Sequence, residues 1–407
     1  MGWTLNVAHQ EAAVSLAKNI DLLRRLPRLD GLRFAGPGRS PDSSSPLQEV
    51  TDFGDNPGAL RMFAFVPAEW QKPRALVVVL HGCGQTAAAY DLGAGWSTLA
   101  RHYGFALVMP QQQRANNANT CFNWFNPEDT ARDSGEPRSI REMIAYMVKA
   151  HRIDPKRVFI TGLSAGGGMT SVMLATYPEV FAAGAVIAGL PYGIASNLRE
   201  ALDGMFHSPA RPARELGDLV RSASDHRGPW PKVSVWHGSA DRTVNPGNAN
   251  EIVKQWLDLH DLSVDAPMAE TIVDGYPRQA WWDRDGETLV ESYAITDMAH
   301  GTPLGLADND QRYGVEGAFL IEAGISSSYH IAKFFGLTGW IADAAKAEAK
   351  PATKPATKPA LTSAPHLARS IRTTIAEAPV EPQREKTGGL DIGQIITRAL
   401  TAAGLMK

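Results

Sequence analysis

Cysteine is almost absent from this sequence: Cys83 and Cys121 are all that 407 residues contain. A disulfide-dense scaffold is therefore excluded, and stability has to come from a buried core. Long apolar runs are missing too, and no stretch approaches the roughly 20 residues that cross a bilayer as a helix, so no transmembrane segment is expected. Neither sign of charge dominates: 40 Lys and Arg stand against 43 Asp and Glu, for a net charge of −3. That balance leaves no electrostatic footprint for nucleic acid. The N-terminus shows no continuous apolar segment of signal-peptide type, because Lys18, Arg24 and Arg25 fall among its short apolar stretches. On that ground the protein is expected in the cytosol. What is plentiful is apolar material, 44% of the chain, ample for one large α/β domain with appendages.

Short β-branched runs and helical patterns alternate through the middle of the chain. Strands are expected at 60–66, 75–80, 105–109, 158–161, 184–188, 233–236 and 289–295, with helical crossovers such as 139–150 and 167–177 between them. This alternation indicates a mainly parallel central sheet with helices on both faces, in a catalytic domain spanning 47–342. The stretch 190–231 is long enough to add a lid or a cleft wall. An N-terminal extension, 1–46, carries a potential amphipathic helix over 12–26 and a Ser/Pro-rich end at 40–46. Beyond the domain, 343–389 is a linker in which Lys350 to Pro359 repeats Lys-Pro-Ala-Thr, and its prolines favour an extended spacer. In the last segment, 390–407, Ile392, Ile395, Ile396, Ala399, Leu400 and Ala403 fall at helical spacing. Such a helix can dock on a partner, a granule or a polymer surface, or fold back on the domain.

The chemistry is concentrated in Gly162-Leu163-Ser164-Ala165-Gly166, which follows the apolar run 158–161 and precedes a helical segment. Small residues at such a strand-to-helix turn lift a serine hydroxyl above the sheet edge, making Ser164 a candidate nucleophile; the alternative is a serine that caps the helix. A serine nucleophile needs a base, and the base an orienting acid, in the chain order Ser, acid, His. Asp241 follows the strand 233–236 and His300 follows the strand 289–295, which satisfies that order. Asp297 and Asp274 remain alternative acids. His237 also sits at a strand end but precedes Asp241, the wrong order for the base. The apolar strand 75–80 runs into His81-Gly82-Cys83-Gly84-Gln85, which occupies the place of an oxyanion loop. The Ala165 amide, directly after the nucleophile, should supply one oxyanion donor.

Residues 80–86 around His81-Gly82-Cys83-Gly84, the run Cys121-Phe122-Asn123-Trp124-Phe125, and Asp154 to Val158 leading to Gly162-Leu163-Ser164-Ala165-Gly166-Gly167 resemble the polyhydroxybutyrate depolymerase family of esterases, which also includes feruloyl and acetylxylan esterases. The resemblance spans roughly residues 60–340. It implies an α/β-hydrolase fold, a Ser164-Asp241-His300 triad, the Cys83 and Ala165 amides as the oxyanion hole, and no cofactor or metal. It further implies a disulfide between Cys83 and Cys121, which belongs to an oxidising, extracellular setting, whereas the N-terminus favours the cytosol and two free buried thiols. Two departures concern the acyl group: His300-Gly301-Thr302-Pro303 lacks the aromatic residue usual after the catalytic His, and Phe122 stands where Trp is usual. Trp124, Tyr192, Trp230, Trp281 and Trp282 are the aromatic candidates for the substrate cleft, although adjacent Trp281 and Trp282 cannot both face the core of a strand. The expected activity is hydrolysis of short-chain hydroxyalkanoate esters, with a feruloyl or acetylxylan esterase as one alternative and a granule-associated binding protein on a hydrolase scaffold as another.

Overall fold

A computed structural model describes residues 45–263 and 269–341. The expected terminal helices at 12–26 and 390–407 and the linker at 343–389 lie outside the described residues.

In chain order the strands are β1 (Gln48–Val50), β2 (Arg61–Phe65), β3 (Leu76–Leu80), β4 (Ala106–Gln111), β5 (Val158–Leu163), β6 (Ala183–Ile187), β7 (Lys232–Gly238), β8 (Ala269–Val273), β9 (Tyr276–Trp282) and β10 (Thr288–Ile295). They lie side by side as β1-β2-β4-β3-β5-β6-β7-β10-β9-β8 in one sheet. From β4 to β10 every neighbour is parallel, while β1, β2, β9 and β8 extend the two edges with antiparallel pairs. A separate pair, β11 (Thr302–Leu304) and β12 (Leu320–Glu322), follows.

Parallel strands covered on both faces read as unbroken apolar runs. β3 is such a run and is buried at every position: Leu76, Val78 and Leu80 enter one core, Val77 and Val79 the other. The first core is closed by α3 (Gly135–His151), α4 (Ala165–Thr176) and α7 (Gly247–Leu259); the second by α1 (Ala87–Ala94), α2 (Trp96–Tyr103) and α8 (Ser327–Phe334). α3 shows how the pattern selects the contact, since Ile140, Met143, Ile144 and Met147 fall on one helical face and all are buried. Each such fully buried side chain contributes roughly 1.5–3 kcal/mol of transfer free energy. The stretch 190–231 forms two helices, α5 (Leu198–His207) and α6 (Ala213–Ser222).

All seven expected strands are present. The β8–β9 hairpin was not expected, because β8 is half-exposed on the sheet edge and β9 contains Pro277, which argues against a strand. Because the six parallel strands share one direction, Leu80, Leu163, Gly238 and Ile295 end at the same edge of the sheet. In open α/β sheets ligands bind outside that edge.

Candidate active site

Ser164 is the single residue between the end of β5 and the start of α4, and its backbone takes φ 58° and ψ −119°. A non-glycine residue in so sparse a region costs of order 1–3 kcal/mol and persists only where its surroundings hold it. Here the Ser164 N–H donates to Ile187 O at 2.9 Å, and Ser164 O accepts from the Gly168 N–H at 2.9 Å. The following turn has room for nothing larger than glycine at 166: a Cβ there would lie 2.5 Å from Leu80 O and 2.6 Å from His81 O. The strand end of β3 is therefore packed directly against the serine turn. The side chain of Ser164 makes no capping bond to α4, so the capping alternative does not describe this residue.

Asp241 and His300 leave the ends of β7 and β10, neighbours in the sheet. His300 Nδ1 lies 2.7 Å from Asp241 Oδ2; a carboxylate only accepts, so Nδ1 carries the hydrogen and Nε2 is left free to take a proton. The other oxygen, Oδ1, accepts the Thr243 and Val244 N–H groups at 2.8 and 2.9 Å. Burial works against ionisation of Asp241, but hydrogen bonds from His237 and His300 outweigh it and hold the carboxyl well below the usual carboxylate range. The two alternative acids sit elsewhere. Asp297 is exposed in the turn after β10, where its N–H donates to Ser239 Oγ. Asp274 accepts from His330 Nε2 at 2.8 Å. His237 makes a contact that the chain-order argument did not anticipate, lying 3.2 Å from Asp241 Oδ2.

The loop after β3 is held by His81, which is fully buried. Its Nε2 accepts the Gln112 N–H at 3.1 Å, so Nδ1 carries the hydrogen and donates to Gly82 O at 2.8 Å. Burial pushes the His81 pKa down to about 4, keeping the ring neutral near pH 7. In a trans peptide the C=O and the next N–H point in opposite directions. With Gly82 O turned toward His81, the Cys83 N–H is turned away from it. Neither the Cys83 N–H nor the Ala165 N–H is taken up by a hydrogen bond among the described residues.

Cys83 and Cys121 form a disulfide, so the expectation of free thiols is overturned. The partner loop is tied down by Glu136 at the start of α3, which is 1% exposed. Glu136 accepts from Asn123 N–H at 3.0 Å, Asn123 Nδ2 at 2.8 Å and Gln112 Nε2 at 2.5 Å. Burial first, and the Asp129 charge second, push its pKa up to about 8. Gln112 thus connects the His81 ring to the Cys121 loop, whose carbonyl it also holds at 3.2 Å. No signal in the sequence marked this brace, since Gln112 and Glu136 belong to no motif.

Among the aromatic candidates, Trp124 packs over α4. A Cβ on Gly168 would lie 2.8 Å from its Cγ, so glycine at 168 is what admits the indole one turn after Ser164. Tyr192 follows β6, on the same edge of the sheet, with its hydroxyl donating to Thr130 O at 3.2 Å. Trp281 and Trp282 are not in the cleft. β9 runs antiparallel to β10, and its last residues pair Trp281 with Val290 and Trp282 with Thr288, at the start of β10 and the opposite edge of the sheet. Trp281 is a core residue there. Trp230, just ahead of β7, lies at that far edge as well. The aromatic ring that the His300-Gly301-Thr302 run lacks comes from Phe319, whose ring stands edge-on to His300 with centroids 5.8 Å apart and planes at 78°. Phe319 has φ 63°, a conformation that a bulky side chain rarely adopts and that its loop enforces through the Thr302 N–H bond to Phe319 O at 2.8 Å.

Asp274, Asp308 and His330 are grouped closely enough to hold a cation, but His330 already donates to Asp274 and Lys333 lies 2.6 Å from Asp308. Both carboxylates of that cluster therefore already have partners, and it shares no residue with Ser164, Asp241 and His300.

Comparison with known proteins adds independent information. The family profile described as Esterase PHB depolymerase matches residues 63–274. Poly(3-hydroxyalkanoate) depolymerase C of Paucimonas lemoignei is 45% identical over 312 residues, covering 76% of this chain and 75% of that protein. An acetylxylan esterase of Coprinopsis cinerea is 33% identical over 275 residues, 66% of this chain and 72% of the relative. Among solved structures, an acetyl xylan esterase from Aspergillus awamori superposes with a TM-score of 0.60 at 25% identity, over 72% of this chain and 99% of that one.

Proposed function

The chain belongs to the esterase PHB depolymerase family, and on that premise we propose that it hydrolyses short-chain hydroxyalkanoate esters through an acyl-enzyme on Ser164. It is a carboxylic ester hydrolase of α/β-hydrolase fold. The observation that carries the mechanism is the 2.7 Å bond between His300 Nδ1 and Asp241 Oδ2, at the sheet edge where β5 delivers Ser164.

His300 Nε2 takes the hydroxyl proton as Ser164 Oγ attacks the ester carbonyl. The oxyanion of the tetrahedral intermediate rests on the Cys83 and Ala165 N–H groups, neither of which has another partner among the described residues. Collapse breaks the bond to the leaving alkoxide, which receives the proton from His300. Water then attacks the acyl-enzyme by the same route, releasing the acid and restoring the Ser164 hydroxyl. Asp241 keeps His300 in the required tautomer and balances the imidazolium. Every proton and electron pair is accounted for by these side chains and water, so the reaction calls for no cofactor or metal.

The substrate reading rests on the 45% identity to a poly(3-hydroxyalkanoate) depolymerase; the 33% identity to an acetylxylan esterase supports the alternative. A polyester, presented as a surface or as soluble oligomers, is the substrate class that follows from the first. The disulfide beside the site favours an oxidising compartment over the cytosol, and among the described residues no helix is long and apolar enough to cross a membrane. Two measurements test the reading. Ser164→Ala should lower kcat on p-nitrophenyl butyrate by about 10⁴- to 10⁶-fold and abolish labelling by a fluorophosphonate probe; a variant retaining a tenth of the activity would refute the nucleophile. Hydroxybutyrate oligomers should exceed ethyl ferulate and acetylated xylan in kcat/KM, and the reverse order would transfer the assignment to the polysaccharide esterases.

A further inference from the structure

Two imidazoles, not one, meet the carboxylate of Asp241. His237, the second-to-last residue of β7, is buried, with its side chain 3% exposed. Its Nε2 lies 2.9 Å from Val244 O and 3.2 Å from Asp241 Oδ2. A carbonyl oxygen can only accept, so the hydrogen sits on Nε2 and is donated to Val244 O, with Asp241 Oδ2 in close contact with the same nitrogen. Nδ1 is then a bare acceptor, and among the described residues it has no hydrogen-bond partner. A buried acceptor without a partner is a cost that an apolar side chain of similar size would avoid. What the imidazole supplies in exchange is an N–H bonded to Val244 O and lying against Asp241.

We propose that His237 is a positioning residue for the hydrolytic reaction, its Nε2–H fixing the Asp241 carboxylate in the rotamer that presents Oδ2 to His300. The proposal rests on the triad reading of Ser164, Asp241 and His300. The geometry around the carboxylate gives it content. Oδ1 is held by the Thr243 and Val244 N–H groups, while Oδ2 is bonded to His300 and has His237 Nε2 3.2 Å away. Val244 closes the arrangement, since its N–H holds the carboxylate while its C=O holds the imidazole. Removing His237 takes away the N–H group that lies against Oδ2 and leaves Val244 O without this bond. The carboxylate is then free to turn about the axis set by Oδ1, and the bond to His300 loses its fixed direction. Catalysis is sensitive to that direction, because the imidazolium must form with Nε2 aimed at the serine.

The test is a mutant cycle with His237→Leu, His237→Gln, Asp241→Asn and the His237→Leu/Asp241→Asn double variant, each assayed for kcat and KM on p-nitrophenyl butyrate. His237→Leu should lower kcat by about 10- to 100-fold with KM within about twofold, short of the roughly 10⁴-fold seen when a triad acid loses its charge. His237→Gln, whose amide N–H reaches the same acceptors, should recover most of that loss. In the Asp241→Asn background the leucine substitution should cost nothing further, because the carboxylate it acts through is gone. His237→Met gives the same comparison should the leucine variant not fold. Wild-type kcat in the leucine variant, equal damage from leucine and glutamine, or an undiminished loss in the Asp241→Asn background would each overturn the proposal. If Asp241→Asn itself keeps wild-type kcat, the triad reading falls and takes this proposal with it; an inactive Asp241→Asn beside a fully active His237→Leu overturns this proposal alone.

Discussion

Replacing Cys121 by serine opens the ring that the Cys83–Cys121 bridge closes, a sequence separation of 38. In the chain-entropy model that closure removes about 13 cal/mol/K from the unfolded chain, about 3.9 kcal/mol at 25 °C. Unfolding entropy runs at about 2.1 cal/mol/K per residue, so roughly 290 folded residues unfold with about 0.6 kcal/mol/K and the melting temperature should fall by about 6 °C. A second effect is local. The Cys83 N–H is one of the two proposed oxyanion donors, and the bridge ties its loop to residues 121–125, themselves anchored through Asn123 on Glu136. Deleting an oxyanion donor outright costs about 10²- to 10³-fold in kcat, so a donor that is loosened but present should cost less, about tenfold. Calorimetry and p-nitrophenyl butyrate turnover on Cys121→Ser, Cys83→Ser and the double variant measure both effects. One bond can be lost only once, so all three variants should melt together, as should wild type treated with a reductant. A melting temperature within about 2 °C of wild type, or losses that add between the single variants, would refute the reasoning.

Three further outcomes are expected. Asp241→Asn should lower kcat by about 10⁴-fold while Asp297→Asn leaves it within about twofold, because Asp241 is bonded to His300 whereas Asp297 bonds Ser239; greater damage from Asp297→Asn would show that the acid is Asp297. Phe319→Ala removes an edge-to-face ring from His300, a contact of about 0.5–1.5 kcal/mol, and should lower kcat/KM by about 2- to 10-fold; an unchanged value would mean that the ring neither steadies the imidazole nor walls the cleft. Glu136 has a folded pKa raised to about 8 from the ordinary 4.5, so the unfolded chain gives up this proton first and stability from this group declines as pH rises from 4.5 to 8. Glu136→Gln has no such proton, and its melting temperature should fall less steeply than that of wild type across that window; parallel curves would show that Glu136 does not titrate there.

The parallel strands were legible because burial on both faces leaves an unbroken apolar run, as in Leu76 to Leu80, and because helical patterns separate several of the runs. The serine turn and the two strand-end loops were legible for the same reason, since chain order and strand ends are properties of sequence. The edge of the sheet was not. Half-exposed β8 and the proline-containing β9 carry neither a clean alternation nor a continuous run. Trp281 and Trp282 misled because periodicity tells which face of a strand a residue occupies but not toward which end of the sheet the strand runs. Phe319 escaped because the wall beside His300 arrives through a loop from later in the chain, in a backbone conformation that composition does not announce. His237 was seen and set aside on chain order, a rule that identifies the base and is silent about what else touches the acid.

Ser164, Asp241 and His300 are carried by β5, β7 and β10, of which only β7 and β10 lie side by side, with β6 between β5 and β7. No fragment of the chain holds two of them on one continuous element. With the proposed triad, hydrolysis therefore reports on sheet assembly: in a refolding experiment, turnover should return only once β10 has taken its place against β7. Trp236 stacks on Tyr293 across that same pairing, with ring centroids 3.7 Å apart, so an optical signal confined to this indole should recover in step with the enzyme, from inside the protein rather than from its cleft.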